Sequence, residues 1–113
     1  MTTIYHNPRC RKSRETLHLL EERNESVNTV LYLDDPPTVK ELKNILNMLG
    51  MKPIELVRKN EAIWKENFKN KDLSDDDILK AMRNHPKLIE RPIVLKNGKA
   101  ALGRPPENVI NIL

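Results

Sequence analysis

The first third of the chain most constrains the possible folds, because it predicts a strand, a helix and a second strand. Thr2 to Tyr5 is rich in β-forming residues and predicts a short strand. Leucines spaced among charged residues predict an amphipathic helix from Cys10 to about Arg23, and Val27 to Leu33 predicts the second strand. A right-handed crossover makes two such strands parallel neighbours in one sheet. We therefore expect an α/β fold.

The remaining sequence predicts several helices, then a hairpin and a last helix. Thr38 and Ser74 each have an acidic residue three positions on, which is the spacing of a helix capping box. The pair Asn97-Gly98 predicts a hairpin turn, and Glu107 to Leu113 predicts the last helix. This order is that of a thioredoxin-like fold with a helical insertion between the N-terminal βαβ and C-terminal ββα units. We expect one domain over residues 1–113.

Composition excludes several classes of protein. The chain has 113 residues, a net charge of +4 and one cysteine, so it forms no internal disulfide. A lone thiol fits a reducing cytoplasm. No apolar run approaches the roughly 20 residues that cross a bilayer. Nucleic-acid binding would favour a basic stripe with stacking aromatic residues, and aromatic residues make up only 4% of this chain. We expect a cytoplasmic protein that binds neither membranes nor nucleic acid.

Cys10 lies where the first strand breaks at Asn-Pro and the first helix begins. A helix N-terminus favours the thiolate over the thiol, and so do nearby cations. Four of the six residues from Arg9 to Arg14 are cationic. Such sites lower the pKa of a thiol from about 8.5 to roughly 3.5–7.5. The alternative is a small buried hydrophobe, which the flanking charges argue against. The segment therefore predicts a nucleophilic thiolate.

The residues that follow Cys10 exclude the common partners of a reactive cysteine. Position 13 is serine, so a C-x-x-C dithiol is absent, and position 16 is threonine, so the C-x5-R loop of thiol phosphatases is absent too. The three histidines have no zinc-like spacing with Cys10, so we expect no metal. A single sulfur cannot resolve its own mixed disulfide, which indicates an external reductant.

The sequence leaves the roles of three residues near Cys10 undecided. The hydroxyl of Ser13, one helical turn on, either donates a hydrogen bond to the sulfur or belongs to an ordinary helix residue. His6 either stabilises the thiolate as an imidazolium, accepts the thiol proton as a neutral imidazole, or lies exposed at the strand end. Asn7 either holds the turn through its side chain or points its amide at a ligand.

Three arginines lie in segments with constrained backbones, although surface ion pairs are the usual fate of arginine. They are Arg58, Arg91 and Arg104. Arg91 and Arg104 precede prolines, which favour extended backbone at the residue before them. In a thioredoxin-like fold the residue before the third strand is often a cis-proline that faces the active cysteine. Pro92 occupies that place, so we expect Arg91 to face the sulfur.

Together these segments resemble the glutaredoxin-coupled arsenate reductases over the chain from Thr3 to about Leu113. The matching segments are Tyr5-His6-Asn7-Pro8-Arg9-Cys10, Ser13-Arg14, Leu31-Tyr32-Leu33, Arg58-Lys59-Asn60, His85-Pro86, Arg91-Pro92-Ile93-Val94 and Arg104-Pro105. One departure is that Arg11 and Lys12 stand where many reductases of the family have small residues.

The resemblance implies a reaction and a set of site residues. Cys10 would attack arsenate to give a cysteinyl-arsenate adduct, with glutathione as co-substrate, glutaredoxin as the final reductant and no bound cofactor. The implied oxyanion clamp consists of Arg58, Arg91 and Arg104. The implied thiolate-tuning or oxyanion-binding loop consists of His6, Asn7, Ser13 and Arg14.

Two other functions remain open at this point. One is a glutathione-dependent thiol oxidoreductase whose substrate is not arsenate. The other is a non-enzymatic regulator of the same fold that binds RNA polymerase and senses oxidants through a C-x-x-C pair. Ser13 in place of the second cysteine argues against the redox switch of such a regulator.

Overall fold

The computed structural model describes residues 1–113, and their contacts divide the chain into two units. Unit 1 comprises Met1–Asp35 and Arg91–Leu113, and unit 2 comprises Pro36–Glu90. Unit 2 is thus inserted in the sequence between the two segments of unit 1. One domain over residues 1–113 stays a prediction.

Unit 1 is built on a four-stranded sheet with the strand order β2-β1-β3-β4. Its elements are β1 (Thr2–Tyr5), α1 (Arg11–Glu22), β2 (Val27–Val30), β3 (Ile93–Lys96), β4 (Lys99–Leu102) and a C-terminal 3₁₀ helix (Pro106–Ile112). Strand β1 pairs with β2 in parallel, whereas β3 is antiparallel to both β1 and β4. The parallel pair is the one that the βαβ pattern predicts.

The core of unit 1 joins the sheet to α1 and the C-terminal helix. Ile4 and Val94 from the sheet, Leu20 from α1 and Val109 from the C-terminal helix are each 0% exposed. Burying such a side chain fully is worth about 1.5–3 kcal/mol. This core therefore fixes the end of β1 and the start of α1, between which Cys10 lies.

Unit 2 consists of helices. They are α2 (Val39–Leu49), a 3₁₀ helix (Pro53–Leu56), α3 (Ala62–Asn67), α4 (Asp75–Asn84) and a second 3₁₀ helix (Pro86–Leu88). Thr38 begins α2 and Ser74 begins α4, each with the complete capping box that the sequence predicts. Gly50 ends α2 with a left-handed φ of 67°. None of the helices is both long and apolar enough to cross a bilayer.

Two predicted elements differ from those observed. Strand β2 ends at Val30 rather than Leu33, because the carbonyl of Leu31 accepts hydrogen bonds from the N–H groups of Asp34 and Asp35 and forms a turn. The last helix is a 3₁₀ helix that begins at Pro106.

Candidate functional site

Cys10 is the N-cap residue of α1 and is partly exposed. The turn before it is held by Asn7, whose Oδ1 accepts the Arg9 N–H at 3.0 Å and whose carbonyl accepts the Cys10 N–H at 3.0 Å. The side chain of Asn7 thus closes an Asx-type turn, one of the two roles left open for it. This turn places the sulfur at the N-terminal end of α1.

Three N–H-bearing groups near the Cys10 sulfur lower the pKa of its thiol. Burial alone raises the pKa of the thiol, but the Ser13 N–H, the Arg91 guanidinium and the Lys12 N–H outweigh it and leave the pKa below its ordinary value. The positive charge of Arg91 adds to this effect. Thiols at helix N-termini and beside cations are the reactive ones. The surroundings of Cys10 are those of a nucleophile rather than of an apolar core residue.

The cationic side chains next to Cys10 in sequence do not contribute to this shift, contrary to our expectation. Arg11 pairs with Glu15 at 2.8 Å, and Arg14 donates to the Pro8 carbonyl at 2.9 Å. The side chains of Arg9 and Lys12 are exposed. Their charges lie in solvent, where water and salt screen them. The cation that acts on the sulfur is Arg91, which is distant in sequence.

Neutralising the exposed cations should therefore leave the thiol unchanged. We expect the double variant Arg9→Gln, Lys12→Gln to keep the wild-type Cys10 pKa, since the Lys12 N–H remains in place. Arg91→Gln should raise it, because one hydrogen bond and one positive charge are lost. Ultraviolet titration of the thiolate measures both. A pKa raised as far in the double variant as in Arg91→Gln would contradict this assignment.

A buried hydrogen-bond network stabilises the turn that precedes Cys10. His6 Nδ1 lies 2.6 Å from Ser13 Oγ, and the Asn7 N–H donates to the same oxygen at 3.0 Å. The Ser13 hydroxyl is thus bonded to His6, while the Ser13 N–H helps to lower the pKa of Cys10. His6 is 6% exposed, so it is not a solvent-facing strand-end residue. Burial, with the charge of Arg14, lowers its pKa and favours the neutral imidazole over the imidazolium.

Arg91 and Arg104 lie at the two ends of the β3–β4 hairpin. The Arg91–Pro92 and Arg104–Pro105 peptide bonds are both cis. Arg104 Nη1 donates to the Arg91 carbonyl at 3.3 Å, and the Gly103 N–H donates to the Pro92 carbonyl at 2.9 Å. Arg91 Nε is buried without a hydrogen-bond partner. Unit 1 therefore places the Arg91 guanidinium beside Cys10 and the Arg104 guanidinium beside the main chain of Arg91.

Arg58 lies in unit 2, directly after the isolated β-bridge between Val57 and Ile89. Its Nη1 lies 3.8 Å from Glu90 Oε2, and its Nε is buried without a hydrogen-bond partner. Buried donors in proteins usually have an acceptor, so this group is available to one. The place of Arg58 in an oxyanion clamp stays a prediction.

The fold is thioredoxin-like, and the single cysteine lies at a helix N-terminus beside the Arg91 guanidinium. The ArsC family model matches residues 5–112, and the chain belongs to the ArsC family. It is 50% identical over 112 residues to an arsenate reductase of Neisseria meningitidis serogroup A, covering 97% of this chain and 96% of the relative. It is equally identical to the uncharacterized protein YfgD of Escherichia coli K12, covering 97% and 94%.

A solved structure agrees closely with this assignment. The arsenate reductase from Vibrio cholerae superposes with a TM-score of 0.94 at 49% identity, covering 99% of this chain and 97% of that one. The predicted fold class and the resemblance to the arsenate reductases are both confirmed.

Proposed function

We propose that this protein is an arsenate reductase in which Cys10 attacks the arsenic atom. The observation that supports this most strongly is the pairing of a stabilised Cys10 thiolate with the Arg91 guanidinium, whose Nε has no acceptor in the protein. Relatives at about half identity that are named arsenate reductases support the same substrate.

Arginine side chains reduce the electrostatic repulsion between the thiolate and arsenate. Arsenate has one to two negative charges at neutral pH, so an anionic sulfur is repelled as it approaches. Guanidinium groups neutralise an oxyanion and orient it through paired hydrogen bonds. We propose Arg91 and Arg104 for this role in unit 1, and Arg58 on the strength of the resemblance.

The proposed reaction uses two external thiols as reductants. The Cys10 sulfur bonds to arsenic and water or hydroxide leaves. The thiolate of glutathione then attacks the Cys10 sulfur, forming a disulfide, while the electron pair of the sulfur–arsenic bond reduces As(V) to As(III) and arsenite departs. Glutaredoxin reduces the mixed disulfide and restores the thiol. The absence of a second cysteine agrees with this dependence on outside thiols, and such a cycle belongs in the cytoplasm.

A coupled assay tests the proposal. NADPH consumption, with glutathione reductase, glutaredoxin and glutathione present, should rise when arsenate is added. Cys10→Ser should abolish the rise, and Glu66→Gln, a charge change at an exposed position on α3, should keep it. Consumption that does not respond to arsenate would contradict arsenate as the substrate, and would favour a thiol oxidoreductase acting on another compound.

A further inference from the structure

Thr16 lies on the buried face of α1, where this helix meets the open end of the β3–β4 hairpin. Its side chain is fully buried, and its Oγ1 donates to the Lys12 carbonyl at 2.8 Å. A Cβ atom added to Gly103 would lie 3.1 Å from Thr16 Cγ2, closer still to Thr16 Oγ1, and 2.7 Å from Pro92 Cγ. Thr16 and Pro92 therefore fill the space beside Gly103, and α1 packs there directly against the hairpin.

The hairpin end beside Thr16 is also the main-chain support of Arg91. Pro92 follows Arg91 directly, and the Pro92 carbonyl accepts the Gly103 N–H at 2.9 Å. The Arg91 carbonyl accepts a hydrogen bond from Arg104 Nη1 at 3.3 Å. Because the ring of Pro92 fixes its own backbone φ, the position of Pro92 sets where the Arg91 side chain leaves the main chain.

Helix α1 supports the other partner of Arg91, the Cys10 sulfur. Cys10 is the N-cap residue of α1, and its carbonyl accepts the Arg14 N–H at 3.0 Å. Thr16 follows on the same helix, less than two turns from Cys10. The Arg91 guanidinium lies near the sulfur, and Arg91 Nε is buried, so this side chain is packed against the protein. One helix thus has the sulfur at its start and, at Thr16, the contact that supports Arg91.

We propose that Thr16 is a positioning residue that keeps the Arg91 guanidinium beside the Cys10 sulfur. It acts through its packing with Pro92 and Gly103 rather than on the sulfur itself. The inference deepens the proposed function, which rests on the same pairing of thiolate and guanidinium. Hydrogen bonds weaken steeply as their geometry departs from the optimum, so a small movement of Pro92 is enough to reduce the effect of Arg91 on the sulfur.

The pH profile of Cys10 alkylation tests this role without arsenate. Iodoacetamide is uncharged and reacts with the thiolate, so the midpoint of the profile follows the ionisation of Cys10. Thr16→Ala removes the hydroxyl and the methyl group beside Gly103, and alanine is the strongest helix former, so the variant should fold. We expect its midpoint to move to higher pH, with an unchanged plateau. Below the midpoint its rate should fall about 2- to 5-fold, because a loosened charge-assisted hydrogen bond loses part of its strength.

Three comparison variants separate positioning from a general loss of packing. In an Arg91→Gln background, Thr16→Ala should move the midpoint no further, because the guanidinium that it positions is absent. Thr16→Ser keeps the oxygen nearest Gly103 and its bond to the Lys12 carbonyl, so its midpoint should return toward wild type. Ile4→Val removes a methyl group from the core of unit 1, outside the groups that adjoin Gly103, and should lower stability without moving the midpoint. Denaturant unfolding measures the stability of each variant.

The possible results separate this inference from the proposed function. A wild-type midpoint in Thr16→Ala, or an equal shift in Ile4→Val, would overturn the role of Thr16 and leave the pairing of Arg91 with Cys10 standing. A shift that persists undiminished in the Arg91→Gln background would also overturn it. If Arg91→Gln itself keeps the wild-type midpoint, the pairing fails, and the inference fails together with the main support of the proposed function.

Discussion

Arg91→Ala should lower arsenate-dependent turnover by about 10²–10³-fold while the protein remains folded. Loss of one preorganised donor at a site of developing or bound negative charge typically has an effect of this size. Two effects combine here, because Arg91 both bonds the Cys10 sulfur and keeps a buried Nε available to an anion. The coupled NADPH assay measures the loss, and thermal unfolding monitors the fold.

The pH dependence of Cys10 alkylation measures how far Arg91 lowers the pKa of the thiol. Without its hydrogen bond and charge, the pKa of Cys10 rises, so less thiolate is present at neutral pH. The alkylation rate of Arg91→Ala should therefore reach its plateau at a higher pH than that of the wild type. Arg104→Ala should also lose most activity, whereas Arg23→Ala, at an exposed position after α1, should lose none. Wild-type turnover in either purified clamp variant would refute the proposed clamp.

Gly103→Ala should destabilise the protein by about 3 kcal/mol, the upper part of the usual range for overpacking. A Cβ atom at this position would lie within 3.0 Å of Thr16 Oγ1 and 2.7 Å from Pro92 Cγ. Neither neighbour yields readily, because Thr16 is fully buried and bonded to the Lys12 carbonyl, and Pro92 has a rigid ring. Denaturant unfolding measures the change. The hairpin ends that hold Arg91 and Arg104 should also move, so activity should fall with stability.

Two control variants test whether the loss of stability in Gly103→Ala is steric. Gly98→Ala lies in the hairpin turn at a φ of +76° with no atom within 4 Å of the new methyl group, so its cost should be the conformational one of about 1 kcal/mol. Thr16→Ala removes the hydroxyl and methyl that the new Cβ meets. The cost of Gly103→Ala should shrink in that background, and an unchanged cost would contradict the contact with Thr16.

Local signals predicted much of the fold because the structures they specify form within a few residues. The capping boxes at Thr38 and Ser74 are satisfied by groups three positions away, and Gly50 ends α2 through its own φ. The turn at Asn97-Gly98 has positive φ at both residues, which this pair adopts readily. The end of β2 was misjudged because the turn after Val30 competes with strand propensity over Leu31 to Leu33, where β-forming residues continue.

The site was only partly predictable, since its contacts join distant parts of the sequence. The strand–turn–helix pattern placed Cys10 at a helix N-terminus, and the structure agrees. The same pattern wrongly predicted that the cations near Cys10 in sequence lower the pKa of its thiol. A sequence pattern cannot show that side chains in the first turn of α1 extend into solvent. The bond between His6 and Ser13 spans the turn and has no sequence signature. The ion pair between Arg58 and Glu90 likewise depends on the pairing of Val57 with Ile89, which are distant in sequence.

Two of the three N–H-bearing groups that lower the pKa of Cys10 act through peptide groups, so the ionisation of the thiol should tolerate a change of side chain at the exposed Lys12. Replacing the exposed Lys12 by any residue except proline leaves an amide in the same place. The exposed side chains at positions 11 and 12 should therefore be replaceable without altering the ionisation of Cys10. The ionisation of the thiol thus depends on the path of the main chain and on the distant Arg91 rather than on the side chains beside it.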